Sequence, residues 1–195
     1  MRVDRIFEQA KATGAQPVSF EMFPPKGEMT LERAREVAGS FSKLNPDFIS
    51  VTYSAGGSGN SGATTKIAQM IDADFGIPAV AHLTCISLKR ADLLAKIDEM
   101  RAAGIQNVLA LRGDVPQGAP TGPGCADYRY AKDIIPHLVD AGFCVGAAAY
   151  PEGHIECDDL ELSVRQLKEK QDAGASFLVT QLFFDNQYFY RFREL

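Results

Sequence analysis

The sequence predicts an α/β fold of the TIM (β/α)8-barrel type, with about six βα units in this chain. Three observations carry that prediction. Short β-rich runs alternate with longer helical stretches, one unit every 30 residues or so, about the span of one strand plus its crossover helix. The stretch Phe20-Glu21-Met22-Phe23-Pro24-Pro25, at the end of the first run, lacks the glycine fingerprint that a doubly wound dinucleotide fold places there. Each run is also mostly apolar or small until its C-terminal edge, where it turns polar: Glu21, Thr52, His82 with Thr84, Arg112 with Asp114, Tyr150, and Gln181. A barrel collects its active site from those edges and the loops that follow them.

Taken in order, the first strand is expected over 17–22, with Ser19 and Glu21 on one face. A helix follows, capped by Thr30, with Leu31, Ala34, Val37, Ala38 and Phe41 along its buried side. The second strand, 48–53, presents Ser50 and Thr52 together. The glycine-rich loop 56–62 after it reads either as a flexible segment near a ligand or as a plain surface turn. The third strand, 79–85, puts Val80, His82 and Thr84 on one face, and Leu93, Leu94, Ile97 and Met100 mark the next helix. The fourth strand is 107–111, followed by a long loop through 116–124 and a helix started by Asp127. In the fifth strand, 143–150, the run Gly146-Ala147-Ala148-Ala149 leaves room for something bulky, either a flat cofactor ring or a closely packed helix. Asp158 is the expected cap of a helix marked by Leu160, Val164, Leu167 and Gln171. The sixth strand is 177–183, and a last helix begins near Asp185. Gly76, Gly104, Gly142 and Gly174 punctuate the helix-to-strand returns.

The 195 residues suit one domain, 1–195. The net charge is −5, from 20 Lys plus Arg against 25 Asp plus Glu, which argues against a nucleic-acid or membrane-surface binder. No apolar run is long enough to span a bilayer, and the charged start Met1-Arg2-Val3-Asp4-Arg5 lacks the apolar stretch of a secretion signal, so the expected compartment is the cytoplasm. Cys85, Cys125, Cys144 and Cys157 form no disulfide framework. His82 and Cys85 are three apart along a strand and so point to opposite faces, which excludes that pair as a grip on one metal ion.

Six segments together resemble the methylenetetrahydrofolate reductases, flavin-dependent barrels of one-carbon metabolism and methionine biosynthesis. They are Ser19-Phe20-Glu21-Met22-Phe23-Pro24-Pro25-Lys26, Val51-Thr52-Tyr53, His82-Leu83-Thr84-Cys85, Leu111-Arg112-Gly113-Asp114, Ala149-Tyr150-Pro151-Glu152-Gly153-His154, and Thr180-Gln181-Leu182-Phe183-Phe184-Asp185. They run in the family's order and cover essentially the whole chain. The resemblance implies an oxidoreductase that uses FAD, with NAD(P)H as electron donor. It would reduce 5,10-methylenetetrahydrofolate to 5-methyltetrahydrofolate by hydride transfer from the reduced flavin.

By the same resemblance, Thr52, Tyr53, Ala55, His82, Arg112, Gly113, Asp114, Ala131, Tyr150, His154 and Lys170 would hold FAD. Glu21, Asp114 and Gln181 would meet the folate, with Glu21 and Asp114 catalytic. Glu21, beside apolar Phe20, Met22 and Phe23, is expected to be desolvated and to favour the protonated form a general acid needs, or else to pair with a lysine or arginine in the barrel mouth. Asp114 would favour a cationic folate intermediate, although Gly-Asp before Val-Pro is also an ordinary turn. His82 is equally readable as a satisfied interior histidine, and Lys170 as a solvated helical lysine.

Ser163, Gln166 and Glu169 stand where the family commonly has Asp, Asn and Arg, and Glu169 would repel a pyrophosphate unless Arg165 on the same helix compensates. The family barrel has two further βα units. This chain is therefore expected to be C-terminally truncated, or completed by a homo-oligomer or a partner chain. The rival functions are a flavin-free barrel lyase or isomerase using Glu21 and His82, and a non-catalytic, partner-dependent subunit.

Overall fold

The computed structural model describes residues 1–24, 31–53, 61–86, 88–114 and 126–195. Expectations placed on Thr30, on Ala55 with the start of the glycine-rich loop, on the 116–124 loop and on Cys125 lie outside the described residues. Six strands alternate with helices: β1 (Ser19–Met22), β2 (Phe48–Val51), β3 (Ala79–Thr84), β4 (Asn107–Leu111), β5 (Cys144–Ala149) and β6 (Phe177–Thr180). The helices are α1 (Val3–Thr13), α2 (Leu31–Ser42), α3 (Ser61–Phe75), α4 (Arg90–Ala102), α5 (Ala131–Asp140), α6 (Leu160–Asp172) and α7 (Asn186–Glu194). The sheet is parallel throughout, in the sequential order β1-β2-β3-β4-β5-β6. That order, with a helix after every strand, is a partial (β/α)8 barrel.

Two apolar layers show that the sheet curls. The outer one packs Ile49, Val51, Ala81, Leu83, Val108, Ala110, Val145 and Ala147 of the strands against Ile67, Ile71, Leu93, Ile134, Ile135 and Leu138 of the helices. Each fully buried Ile or Leu in it contributes about 1.5–3 kcal/mol of transfer free energy. The inner one gathers the alternate residues Phe48, Val80, Leu109, Cys144 and Phe177 with Val3 and Ile6 of α1. The Phe7 ring of α1 lies 6.3 Å from both Phe48 on β2 and Phe177 on β6. Strands four places apart in the sheet reach one ring only if the sheet bends round it.

Helix α1 is absent from the sequence expectations, although Val3, Ile6, Phe7 and Ala10 follow helical spacing. Its start is fastened by Asn107, whose Oδ1 accepts the Val3 N–H at 2.8 Å. The Asn107 Nδ2 donates to the Met1 and Ala79 carbonyls, each at 3.1 Å. Asn107 is 1% exposed, so these bonds satisfy an otherwise costly buried amide.

Several local expectations are corrected. β1 and β4 end where expected, at Met22 and Leu111, whereas β2, β3, β5 and β6 end at Val51, Thr84, Ala149 and Thr180, short of the expected ends, because the chain leaves the ladder as soon as the βα loops begin. Asp127 does not start α5. Its carboxylate accepts the Arg90 N–H at 2.7 Å and so caps α4, while α5 begins after Tyr130, whose N–H goes to Asp133. Helix α6 is capped by Asp159, not Asp158, through the Leu162 N–H. Within the run 146–149, Ala147 packs in the outer core with the helices, whereas the space at Gly146 is taken by the Phe177 ring, which a Cβ there would approach to 2.4 Å.

Candidate active site

Strand parity decides which side chains enter the barrel. Register pairs Glu21 with Ser50, Ser50 with Val80, and Val80 with Asn107, so these residues share the inner face. His82 with Leu109, and Thr84 with Leu111, lie one and two steps higher on that face. His82 is therefore interior, while Cys85 packs in the outer core, where burial pushes its thiol up to about 12.

His82 is 6% exposed, and its Nε2 has no hydrogen-bond partner among the described residues. Burial pushes its pKa down to about 4, so the ring is neutral near pH 7. The nearest acid is Glu21, whose Oε2 stands 3.7 Å from Nε2, outside hydrogen-bond reach. The expectation of a desolvated Glu21 is corrected: its side chain is 46% exposed, since the end of β1 opens into the mouth and Phe23 is itself solvent-exposed. The apolar neighbours Phe20 and Met22 face the outer core, on the opposite side of the strand from Glu21. Glu21 is also unpaired with any lysine or arginine within 4 Å among the described residues.

A second group forms at the ends of β4 and β5. The Arg112 carbonyl accepts the Cys85 and Ile86 N–H groups at 3.1 and 2.9 Å, tying the end of β4 to the loop after β3. Its guanidinium donates to both carboxylate oxygens of Glu156, at 2.5 and 3.0 Å, and to the Gly113 carbonyl at 3.3 Å. Tyr150 stands edge-on to His154, with ring centroids 4.8 Å apart. Lys170 reaches back from α6, donates to the Ala148 carbonyl at 2.8 Å, and lies 5.6 Å from the Tyr150 ring centroid. Desolvation lowers the Lys170 pKa, and no carboxylate lies within 4 Å of it among the described residues. The Tyr150 hydroxyl is held above its ordinary value by burial, opposed by Arg112. Asp114 is exposed at the rim, within electrostatic range of Arg112 and Tyr150.

The other expected site residues have more local roles. Thr52 is half-buried: its N–H donates to the Met22 carbonyl, and its own carbonyl accepts the Thr64 hydroxyl. Tyr53 packs on the outer core under Lys96. Gly113 has φ +84, and a Cβ there would meet Thr84 Cβ at 2.9 Å, so glycine is required by β3 itself. Ala131 is the buried first residue of α5. Gln181 is exposed past the end of β6, its N–H on the Ala149 carbonyl. On α6, Glu169 pairs with Lys132 of α5 at 2.5 Å, whereas Arg165 turns to Asp159 and Glu161. Lys132, not Arg165, is the cation that offsets Glu169. Glu156 and Lys132 are absent from the sequence expectations. No spacing rule finds them, because their partners are 44 and 37 residues away.

An uncompensated buried imidazole nitrogen on β3 and a desolvated lysine that reaches the end of β5 from α6 fit a hydrogen-bonding, anionic ligand. The described residues hold no cluster of three or more His, Cys, Asp or Glu able to bind a metal ion, and no helix among them is long and apolar enough to cross a membrane.

Comparison with known proteins extends this picture. A family model described as methylenetetrahydrofolate reductase matches residues 6–195. The 5,10-methylenetetrahydrofolate reductase of Pectobacterium carotovorum subsp. carotovorum is 38% identical over 186 residues, covering 95% of this chain and 60% of that protein. The Escherichia coli K12 protein of the same name is 37% identical, with 95% and 61% covered. Methylenetetrahydrofolate reductase 1 of Schizosaccharomyces pombe is 36% identical over 173 residues, 86% of this chain and 28% of that one. The chain thus spans about 60% of the bacterial relatives' length. Among solved structures, a phosphonopyruvate hydrolase aligns over 100% of this chain and 68% of its own with a TM-score of 0.69 at 14% identity. The phosphoenolpyruvate phosphomutase of Streptomyces platensis subsp. rosaceus aligns over 95% and 67%, with a TM-score of 0.63 at 18% identity. At those identities the likeness concerns the fold alone.

Proposed function

The chain belongs to the methylenetetrahydrofolate reductase family, and on that premise we propose that it serves the FAD-dependent reduction of 5,10-methylenetetrahydrofolate to 5-methyltetrahydrofolate, with NAD(P)H as electron donor. The observation that carries the reading is the placing of Glu21 and His82 on the inner face of β1 and β3, and of Arg112, Tyr150, His154 and Lys170 about the ends of β4 and β5, with His82 Nε2 unsatisfied and Lys170 desolvated. Bound FAD would supply the two-electron hydride carrier between the nicotinamide and the folate methylene.

The chain's own residues would do the rest. Lys170 offers a point charge and His154 a neutral donor to the cofactor's phosphates. His82 meets the cofactor with an uncharged ring, since burial keeps the proton off it. Glu21 gives a proton to the folate nitrogen that releases the methylene, while the methylene carbon takes the hydride and the carbon–nitrogen bond breaks. Glu21 is half-exposed at the mouth, so the folate ring itself must cover it to exclude water from the proton transfer. Asp114, at the rim, stabilises positive charge on the opening folate, and Gln181 offers an amide to the pterin edge.

The experiment is titration of the purified chain with FAD, followed by absorbance and fluorescence quenching, for the wild type and Lys170→Met. The expected result is saturable binding, weakened about tenfold in the variant, the scale of one charge-assisted hydrogen bond. No flavin uptake by the wild type overturns the reading.

A further inference from the structure

We propose that Glu156 is a positioning residue of this site: it ties the loop 150–159, between β5 and α6, to the end of β4, and holds His154 in the tautomer whose proton is on Nε2. The ligand named here rests on the flavin reading above; the geometry does not. The Glu156 carboxylate grips Arg112 with both oxygens, at 2.5 and 3.0 Å, across 44 residues of sequence. The Glu156 backbone N–H donates to His154 Nδ1 at 3.1 Å. An Nδ1 that accepts carries no proton, so a neutral ring must carry it on Nε2. One residue thus sets both the cation of β4 and the donor of the loop.

The groups facing His154 are the Tyr150 ring and Glu156 of its own loop, Arg112 just past β4, and Lys170 of α6. Burial lowers the imidazole pKa most, Arg112 and Lys170 lower it further, and Glu156 acts in the opposite direction. His154 is therefore a neutral N–H donor near two cations. Arg112 commits three N–H groups to Glu156 and Gly113, which leaves two of the guanidinium's five for a ligand. Together these donors serve an anion without burying a third positive charge.

The test is heteronuclear NMR of the imidazoles in protein labelled at its three histidines, His82, His137 and His154, with His154→Gln assigning the signal. In the wild type His154 is expected to show the Nε2–H tautomer. Glu156→Ala frees the loop, so the tautomer becomes mixed and the titration moves up toward the ordinary value of about 6.5. If the loop stays in place without Glu156, Arg112 and Lys170 act uncompensated, the titration moves down and the tautomer is unchanged; that result overturns the proposal. Glu156→Gln keeps the backbone and one acceptor oxygen and is expected to keep the tautomer, and a mixed tautomer there overturns it as well. FAD affinity, read by fluorescence quenching, should fall about tenfold in Glu156→Ala. Tighter binding would make Glu156 a competitor of the ligand and also overturn the proposal. The NMR experiment needs no flavin, so its failure leaves the flavin reading intact, and a protein that binds no flavin leaves the NMR result standing.

Discussion

Acidifying the protein from pH 7 to pH 4 forces a proton toward His82, and the fold resists it. Burial holds the folded imidazole near 4 against an ordinary value of 6.5. The half-exposed Glu21 carboxylate, 3.7 Å away and outside hydrogen-bond reach, does not reverse this. Between those two values the unfolded chain binds a proton that the folded chain does not. Stability is therefore complete above about 6.5 and falls as the pH drops toward 4. The gap of 2.5 pH units, at 1.36 kcal/mol each, makes the loss about 3 kcal/mol. The assay is urea unfolding at several pH values between 7 and 4 for the wild type and His82→Leu. The variant should lack about 3 kcal/mol of the wild type's acid-induced loss, the rest coming from other groups common to both. Parallel pH profiles for the two proteins would refute the reasoning, because the acid sensitivity would then lie elsewhere.

Gly146→Ala pushes a methyl to 2.4 Å from the Phe177 ring. It should cost about 1–3 kcal/mol by chemical denaturation, with most of the loss recovered in a Phe177→Leu background. Gly113→Ala meets Thr84 Cβ at 2.9 Å and must also adopt φ +84. Thr84→Gly removes that Cβ, so in its background Gly113→Ala should cost only the backbone strain of about 1–2 kcal/mol, seen as a residual drop in melting temperature. Asn107→Leu orphans the Val3 N–H and two carbonyls. A loss of about 2–4 kcal/mol is expected, together with fast amide exchange at the start of α1; an unchanged exchange rate there would mean that α1 is held by its apolar face alone.

Much of the fold is legible because strand and helix write different periods. The alternation of Ser19 with Glu21 and of Val80, His82 and Thr84 predicts their shared face, and the register bears it out. The βα order predicts the parallel sheet for the same reason. The misreadings fall where a side chain has two chemically equivalent uses. Asp127 is a good cap by composition, yet it caps the helix 37 residues upstream, because the end of its loop lies beside the start of α4. Small residues at Gly146 signal a bulky neighbour without saying which, and the neighbour is Phe177, on the next strand.

By itself, the sequence determined which residues stand at the strand ends, because periodicity and turn chemistry are local properties of the chain. It also carried the family, because six short segments in order are a long pattern even when each is short. Only the tertiary structure decided the electrostatic state of those residues. Glu21 and His82 sit at matching strand edges, yet one is half-exposed and the other buried and neutral. Arg112 was legible as a cation but not as one already gripped by Glu156, nor Glu169 as a repulsive charge already met by Lys132. Solvation and charge pairing depend on what distant segments bring within about 4 Å, and that distance exists only once the sheet has curled.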